Sequence, residues 1–178
     1  GSNILEYLRH LKCKTLVIEN EYIDYDYLSE FGAFYSKAFK NYSNKCKRLH
    51  FFFGDRVLTV DDLYVPEIST ESRLQNIYIG YVIVRPLDTI NVIGRTILSP
   101  STEDDGGTFC LCKSYFPVNL VGKELSVLGF PFLQQDANVG ACATAALWML
   151  TRALSARFHR QAYTTVEITK SATRYDVS

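Results

Sequence analysis

The chain has little that commits it to an extreme environment. Its 178 residues carry 19 Lys plus Arg against 19 Asp plus Glu, a formal net charge of zero. No excess of positive charge points to nucleic acid or an anionic membrane. No excess of either sign holds copies of the chain apart. No apolar run approaches the ~18 residues that a membrane span needs. The opening stretch, GSNILEYLRHLKCK, lacks the basic segment and apolar run of a secretory signal. Cysteines number five, an odd set without the spacing of a disulfide framework. Reduced thiols in the cytoplasm are therefore expected. Cys110 and Cys112 form a C-x-C with no second Cys or His pair at metal spacing, so neither zinc nor any other metal is expected. VIGRT lacks the spacing of a phosphate loop, no GxGxxG occurs, and no cofactor is expected. Histidine is scarce: His10, His50 and His159 are the whole set.

Apolar residues, by contrast, make up 47% of the chain, with twelve Tyr and eleven Phe. That composition builds a core, and it excludes disorder as the default state. Aromatics also enrich contact surfaces, which leaves a protein or peptide partner open.

Periodicity sets out the elements. Ile4, Leu5, Leu8 and Leu11 share one helical face, with Asn3 as a candidate cap. TLVIE (15–19) reads as a strand. Residues 24–40 read as an amphipathic helix begun near Asp24. RLHFFF (48–53) reads as a buried strand closed by Gly54-Asp55, and a short helix is placed near 60–64 before an exposed STESR turn. IYIGYVIVRP (77–86) and NVIGRTIL (91–98) read as a hairpin. SPSTEDDGG (99–107) is a solvated loop without the alternating ligands of a calcium site. A second hairpin joins 108–120 to 124–132 through Val121-Gly122-Lys123. Asp24, Asp26, Asp61 and Asp62 are read as solvated caps and turns. Lys45, Lys47 and Arg48 beside Tyr42 are read as a solvated basic patch.

The pattern changes at Gly140. GACATAALWMLTRALSARF (140–158) is Ala- and Leu-rich, apolar on nearly every face for three turns. Such a helix is expected to be buried all round, with Cys142 in its first turn at the floor of a cleft. A further helix is expected near Thr169. The expected fold is α+β: an antiparallel sheet of about five strands, N-terminal helices packed on it, and a buried central helix bearing Cys142.

A thiol attacks a carbonyl as its thiolate, and the unpaired N–H groups of a helix start favour negative charge. Gln134 and Gln135 precede Cys142 by eight and seven residues. LGFPFLQQDANVGACATAALWM resembles the Gln…Cys segment of papain-like cysteine peptidases, especially the bacteriocin-processing-like branch. The specific likeness covers residues 128–150. YIDYDYLSEFGAFYSKAFKNYSNKCKRLHFFF, YIGYVIVRPL with VIGRTIL, and VEITKSA look like parts of uncharacterised bacterial proteins that carry such a segment. The resemblance implies a family-specific region over 1–125 and the start of a papain-like core over 126–178, able to pack as one domain. It implies Cys142 as nucleophile, a Gln134 or Gln135 amide at the oxyanion hole, and amide hydrolysis of a protein or peptide. The Gln-to-Cys spacing is one or two residues longer than the family's commonest. The family's histidine follows the cysteine on a strand. His159 lies 17 residues on, roughly 25 Å away if the helix continues. His50 is the in-chain candidate, and its plainer reading is a strand histidine packed among aromatics and hydrogen-bonded to the backbone. The expected cases are therefore a base from His50, from a segment after residue 178 or from another chain, or an enzyme that has lost its base. The competing expectation is a non-enzymatic protein-interaction domain in which Cys142 is packed.

Overall fold

The computed structural model describes residues 4–64, 68–88, 92–100, 113–134 and 142–173. Gln135, the Cys110–Cys112 pair, the acidic loop and the candidate cap Asn3 lie outside them. Helix α1 (Ile4–His10) leads into strand β1 (Cys13–Tyr22). Helix α2 (Tyr25–Glu30) runs on through a π-helical turn, Phe31–Tyr35. Then come β2 (Cys46–Phe53), α3 (Val60–Tyr64), α4 (Ile68–Ile77), β3 (Tyr78–Val84) and β4 (Ile93–Leu98). The hairpin β5 (Ser114–Leu120) and β6 (Lys123–Phe132) is followed by α5 (Cys142–Phe158) and α6 (Thr165–Thr173).

The strands form one six-stranded antiparallel sheet in the order β1-β2-β3-β4-β6-β5. The fold is α+β, with one strand more than expected. Central β3 is buried along nearly its whole length, which is why YIGYVIV reads as a continuous apolar run rather than an alternation. One face carries the main core, where Phe52, Ile83, Ile97 and Val127 meet Tyr27 and Tyr35 of the α2 segment and Leu74 of α4. The other face holds Phe51, Ile79 and Val82 under Leu8 of α1. Tyr7 of α1 donates to the Ser99 carbonyl at 2.7 Å, fixing that helix against the end of β4. Strand β6 crosses residue 125 and pairs with both β4 and β5, so the sheet is continuous across the expected regional boundary.

Several elements depart from expectation for identifiable reasons. The helix begun at Asp24 does start there, since Asp24 Oδ1 accepts the Tyr27 N–H at 3.0 Å, but it ends at Tyr35 through the π-helical turn. The STESR segment is helical, within α4. Gln75 ties that helix to β6, donating to the Ser126 carbonyl (2.8 Å) and accepting its N–H (2.7 Å). Those two atoms of Ser126 lie beyond the short stretch where β4 pairs with β6, so the amide stands in for a strand. The last helix starts four residues before Thr169, because Thr164 and Glu167 form a reciprocal capping box. The Thr164 N–H donates to Glu167 Oε2 (2.7 Å), and the Glu167 N–H donates to Thr164 Oγ1 (3.2 Å).

Helix α5 departs most. It packs on β5, β6 and α6. Ala145, Trp148 and Ala153 are buried, whereas Leu147, Leu150, Leu154 and Phe158 form an exposed apolar stripe along the opposite side. Cys142 is exposed. The expectation of burial on all sides is corrected: apolar composition did not distinguish the face packed on the sheet from the face left open.

Two glycines set the closeness of the central strands. Gly80 in β3 has φ +135°, and a Cβ there would stand 2.1 Å from the Ile97 carbonyl oxygen. A Cβ at Gly129 in β6 would stand 2.6 Å from the Leu98 carbonyl oxygen on the other side of β4. Gly80→Ala is expected to destabilise the fold by more than about 2 kcal/mol, since it adds backbone strain to a clash with main chain that cannot rotate away. Urea unfolding of the variant against Gly32→Ala checks this, because a Cβ at Gly32 meets nothing within 4 Å.

Candidate functional site

The buried polar groups gather where α2, β4 and α5 meet. Asp24 and Asp26 flank the start of α2 and are 1% and 3% exposed. Asp24 caps α2, as expected, but neither residue is solvated, and that expectation is corrected. Asp24 Oδ2 accepts from Arg95 Nη2 of β4 at 2.7 Å. Asp26 Oδ1 accepts from the indole N–H of Trp148 at 3.0 Å and from Arg152 Nη2, both on α5. Asp26 Oδ2 faces Arg95 Nη1 at 3.6 Å. Burial pushes the Asp26 carboxyl above the ordinary aspartate range; Arg152 pulls it back, Asp24 pushes it up again, and Arg95 pulls it down. Beside this cluster, Glu30 receives Arg85 Nη1 at 3.1 Å and the Thr165 hydroxyl at 2.9 Å, which docks α6. Removing one member of such a network strands its partners as buried, unpaired charge.

A second buried group lies on β1, β2 and β3. His50 is fully buried. Its Nδ1 lies 2.9 Å from the Tyr78 hydroxyl and its Nε2 lies 2.8 Å from Glu19 Oε2. Burial holds the His50 pKa below the usual imidazole value, more than the Glu19 carboxylate raises it. The ring is then neutral near pH 7, donating from Nε2 to Glu19 and accepting at Nδ1 from Tyr78. Burial raises the Glu19 carboxyl, but hydrogen bonds from Arg48 and His50 outweigh it and the net direction is down. Arg48 donates through Nε to Glu19, through Nη1 to Tyr22 (3.3 Å) and through Nη2 to the Asn119 carbonyl (2.5 Å). Its guanidinium lies 4.2 Å from the centre of the Tyr22 ring. Arg48 is thus buried in the sheet, which corrects its assignment to a solvated basic patch.

The residues singled out around the thiol fall as follows. Cys142 is the first residue of α5. Gln134 lies just past β6, and its side-chain oxygen accepts the Ile93 N–H at 3.1 Å. Gln135 lies outside the described residues. His50 has both ring nitrogens engaged by Tyr78 and Glu19. His159 follows the other end of α5, as its spacing required. Among the described residues no three His, Cys, Asp or Glu side chains gather as metal ligands would.

Reasoning from sequence missed the Arg–Asp network. The available signals were Arg85 and Arg95 in otherwise apolar strands, since a charge in a buried strand requires a partner. No family model matches the chain, and no curated protein or solved structure matches it. No helix among the described residues is long and apolar enough to cross a membrane.

His50 gives the fold a pH dependence of defined sign. Its folded-state pKa lies below the unfolded value, so its contribution is complete above pH ~6.5 and is lost as pH falls, when the unfolded chain takes up the proton first. Stability is expected to drop as pH falls from 7 to 5.5, at a slope of at most ~1.4 kcal/mol per pH unit from this group. The difference in urea midpoint between wild type and His50→Gln, followed across that range, checks it; parallel curves would contradict it.

Proposed function

We propose that the chain carries a papain-like thiol site for acyl chemistry on an amide bond of a protein or peptide, with Cys142 as the nucleophile. The observation that carries this reading is the position of Cys142: an exposed side chain at the first residue of a 17-residue helix. The resemblance puts the nucleophile in the first turn of a helix, and a thiol attacks a carbonyl carbon as its thiolate. Attack gives a tetrahedral oxyanion. The amine then leaves with a proton, and water releases the acyl group. The resemblance gives the oxyanion role to the amide of Gln134, whose side-chain oxygen accepts the Ile93 N–H. Gln135 has the same role in the resemblance. The base belongs to neither His50, which Glu19 and Tyr78 enclose, nor His159, ~25 Å along the helix. We infer that a different histidine supplies it.

A second reading has its own observation. The exposed stripe of Leu147, Leu150, Leu154 and Phe158 suits a non-enzymatic protein-interaction domain, in which Cys142 does no chemistry.

Iodoacetamide at pH 6, with the modified site assigned by mass spectrometry, separates the two. The thiol reading predicts that Cys142 is alkylated at least ~10-fold faster than a cysteine in an unstructured peptide. Cys46 serves as the internal reference. It is buried, its pKa is pushed up to about 12 by that burial, and it should react at least ~100-fold more slowly than Cys142. A Cys142 no faster than the peptide leaves the interaction domain.

A further inference from the structure

The C-terminal half of α5 faces the sheet across a cavity of about 480 Å³. That volume lies in the range of pockets for small organic ligands. Its wall carries three guanidiniums, Arg48 from β2, Arg95 from β4 and Arg152 from α5, with His159 beside them and, among the described residues, no carboxylate. Glu19, Asp24 and Asp26 hold those guanidiniums from outside the lining. The division shows in exposure. The Asp24 and Asp26 side chains are 2% and 4% exposed, while Arg95 and Arg152 keep 18% and 17%. The acids therefore fix the arginines, and the arginines front the cavity. Arg95 donates to Asp24 and Arg152 to Asp26 through Nη2, so each five-donor fork has N–H groups beyond its anchor. A guanidinium with donors to spare meets phosphate oxygens in its own plane. Aromatic side chains complete the lining: Tyr22, Tyr81, Tyr115 and Phe116.

We propose that this cavity binds a small phosphate ester with an aromatic body, its phosphate on Arg95 and Arg152 and its ring against the tyrosine wall. The site is separate from the thiol. Arg152 lies ten residues along α5 from Cys142, ~15 Å. The proposal therefore stands independently of the reading of Cys142. Such a ligand bridges α5 to β4, so its binding would also stiffen the helix whose first residue is that cysteine.

Isothermal titration of the full chain with phenyl phosphate and adenosine 5′-monophosphate tests it, with adenosine and inorganic phosphate as the two part-ligands. The expected result is saturable one-site binding of both esters, weaker binding of inorganic phosphate and none of adenosine. Ser155 lines the cavity and is not part of the Arg–Asp network. Ser155→Glu brings a negative charge into the cavity and is expected to weaken both esters at least ~10-fold. Arg152→Gln should weaken them too. Far-ultraviolet circular dichroism and thermal unfolding identify a variant that has lost its fold, and Ser155→Glu, at a half-buried helical position, is the variant designed to keep it. The proposal is overturned if the wild type binds neither ester, if Ser155→Glu binds them as well as the wild type while folded, or if adenosine binds as tightly as its phosphate.

Discussion

The carboxylate of Asp26 lies almost wholly out of solvent between the indole N–H of Trp148 and the guanidiniums of Arg152 and Arg95. Three separate parts of the chain meet on it: the start of α2, strand β4 and the middle of α5. A buried carboxylate is costly unless paired and hydrogen-bonded, so its partners are held in place as firmly as it is. Trp148 is fully buried, and with Arg152 it fixes which side of α5 faces the sheet. The opposite side, with Leu147, Leu150, Leu154 and Phe158, is thereby left exposed. Asp24 extends the same constraint by capping α2 with one oxygen and holding Arg95 with the other.

The two functional proposals share this frame. Helix α5 begins at Cys142 and carries Arg152 ten residues later. Its orientation, set at Trp148 and Arg152, determines both where the thiol emerges and which guanidiniums front the cavity. Neither feature depends on the other chemically. Both would be displaced together if the helix turned on its axis, since ~100° separates adjacent residues.

The strands were legible because their residues alternate or run apolar over short, well-bounded stretches. Central β3 and the hairpin of β5 with β6 stand where the pattern places them. Helix starts were legible where a cap was recognised, as at Asp24, and misplaced where one was overlooked, as at Thr164 with Glu167 three residues on. Helix α5 was misjudged because composition gives the propensity of a segment but not the number of faces its neighbours cover. The ion pairs escaped for a different reason. Asp26 and Arg152 are 126 residues apart, and no local pattern records a partner at that distance. His50 was placed correctly in a buried strand among aromatics, but its bonds run to Tyr78 and Glu19 rather than to backbone.

A double-mutant cycle measures directly whether Asp26 and Arg152 act as one unit. Urea unfolding of Asp26→Ala, Arg152→Ala and the double variant gives the coupling free energy. Each single change is expected to cost about 3–5 kcal/mol, because it leaves buried charge without its partner. The double variant should cost less than the sum by at least ~1.5 kcal/mol. Losses that add to within ~0.5 kcal/mol would show that the two residues contribute separately, and that α5 is held against the sheet by something other than this pair.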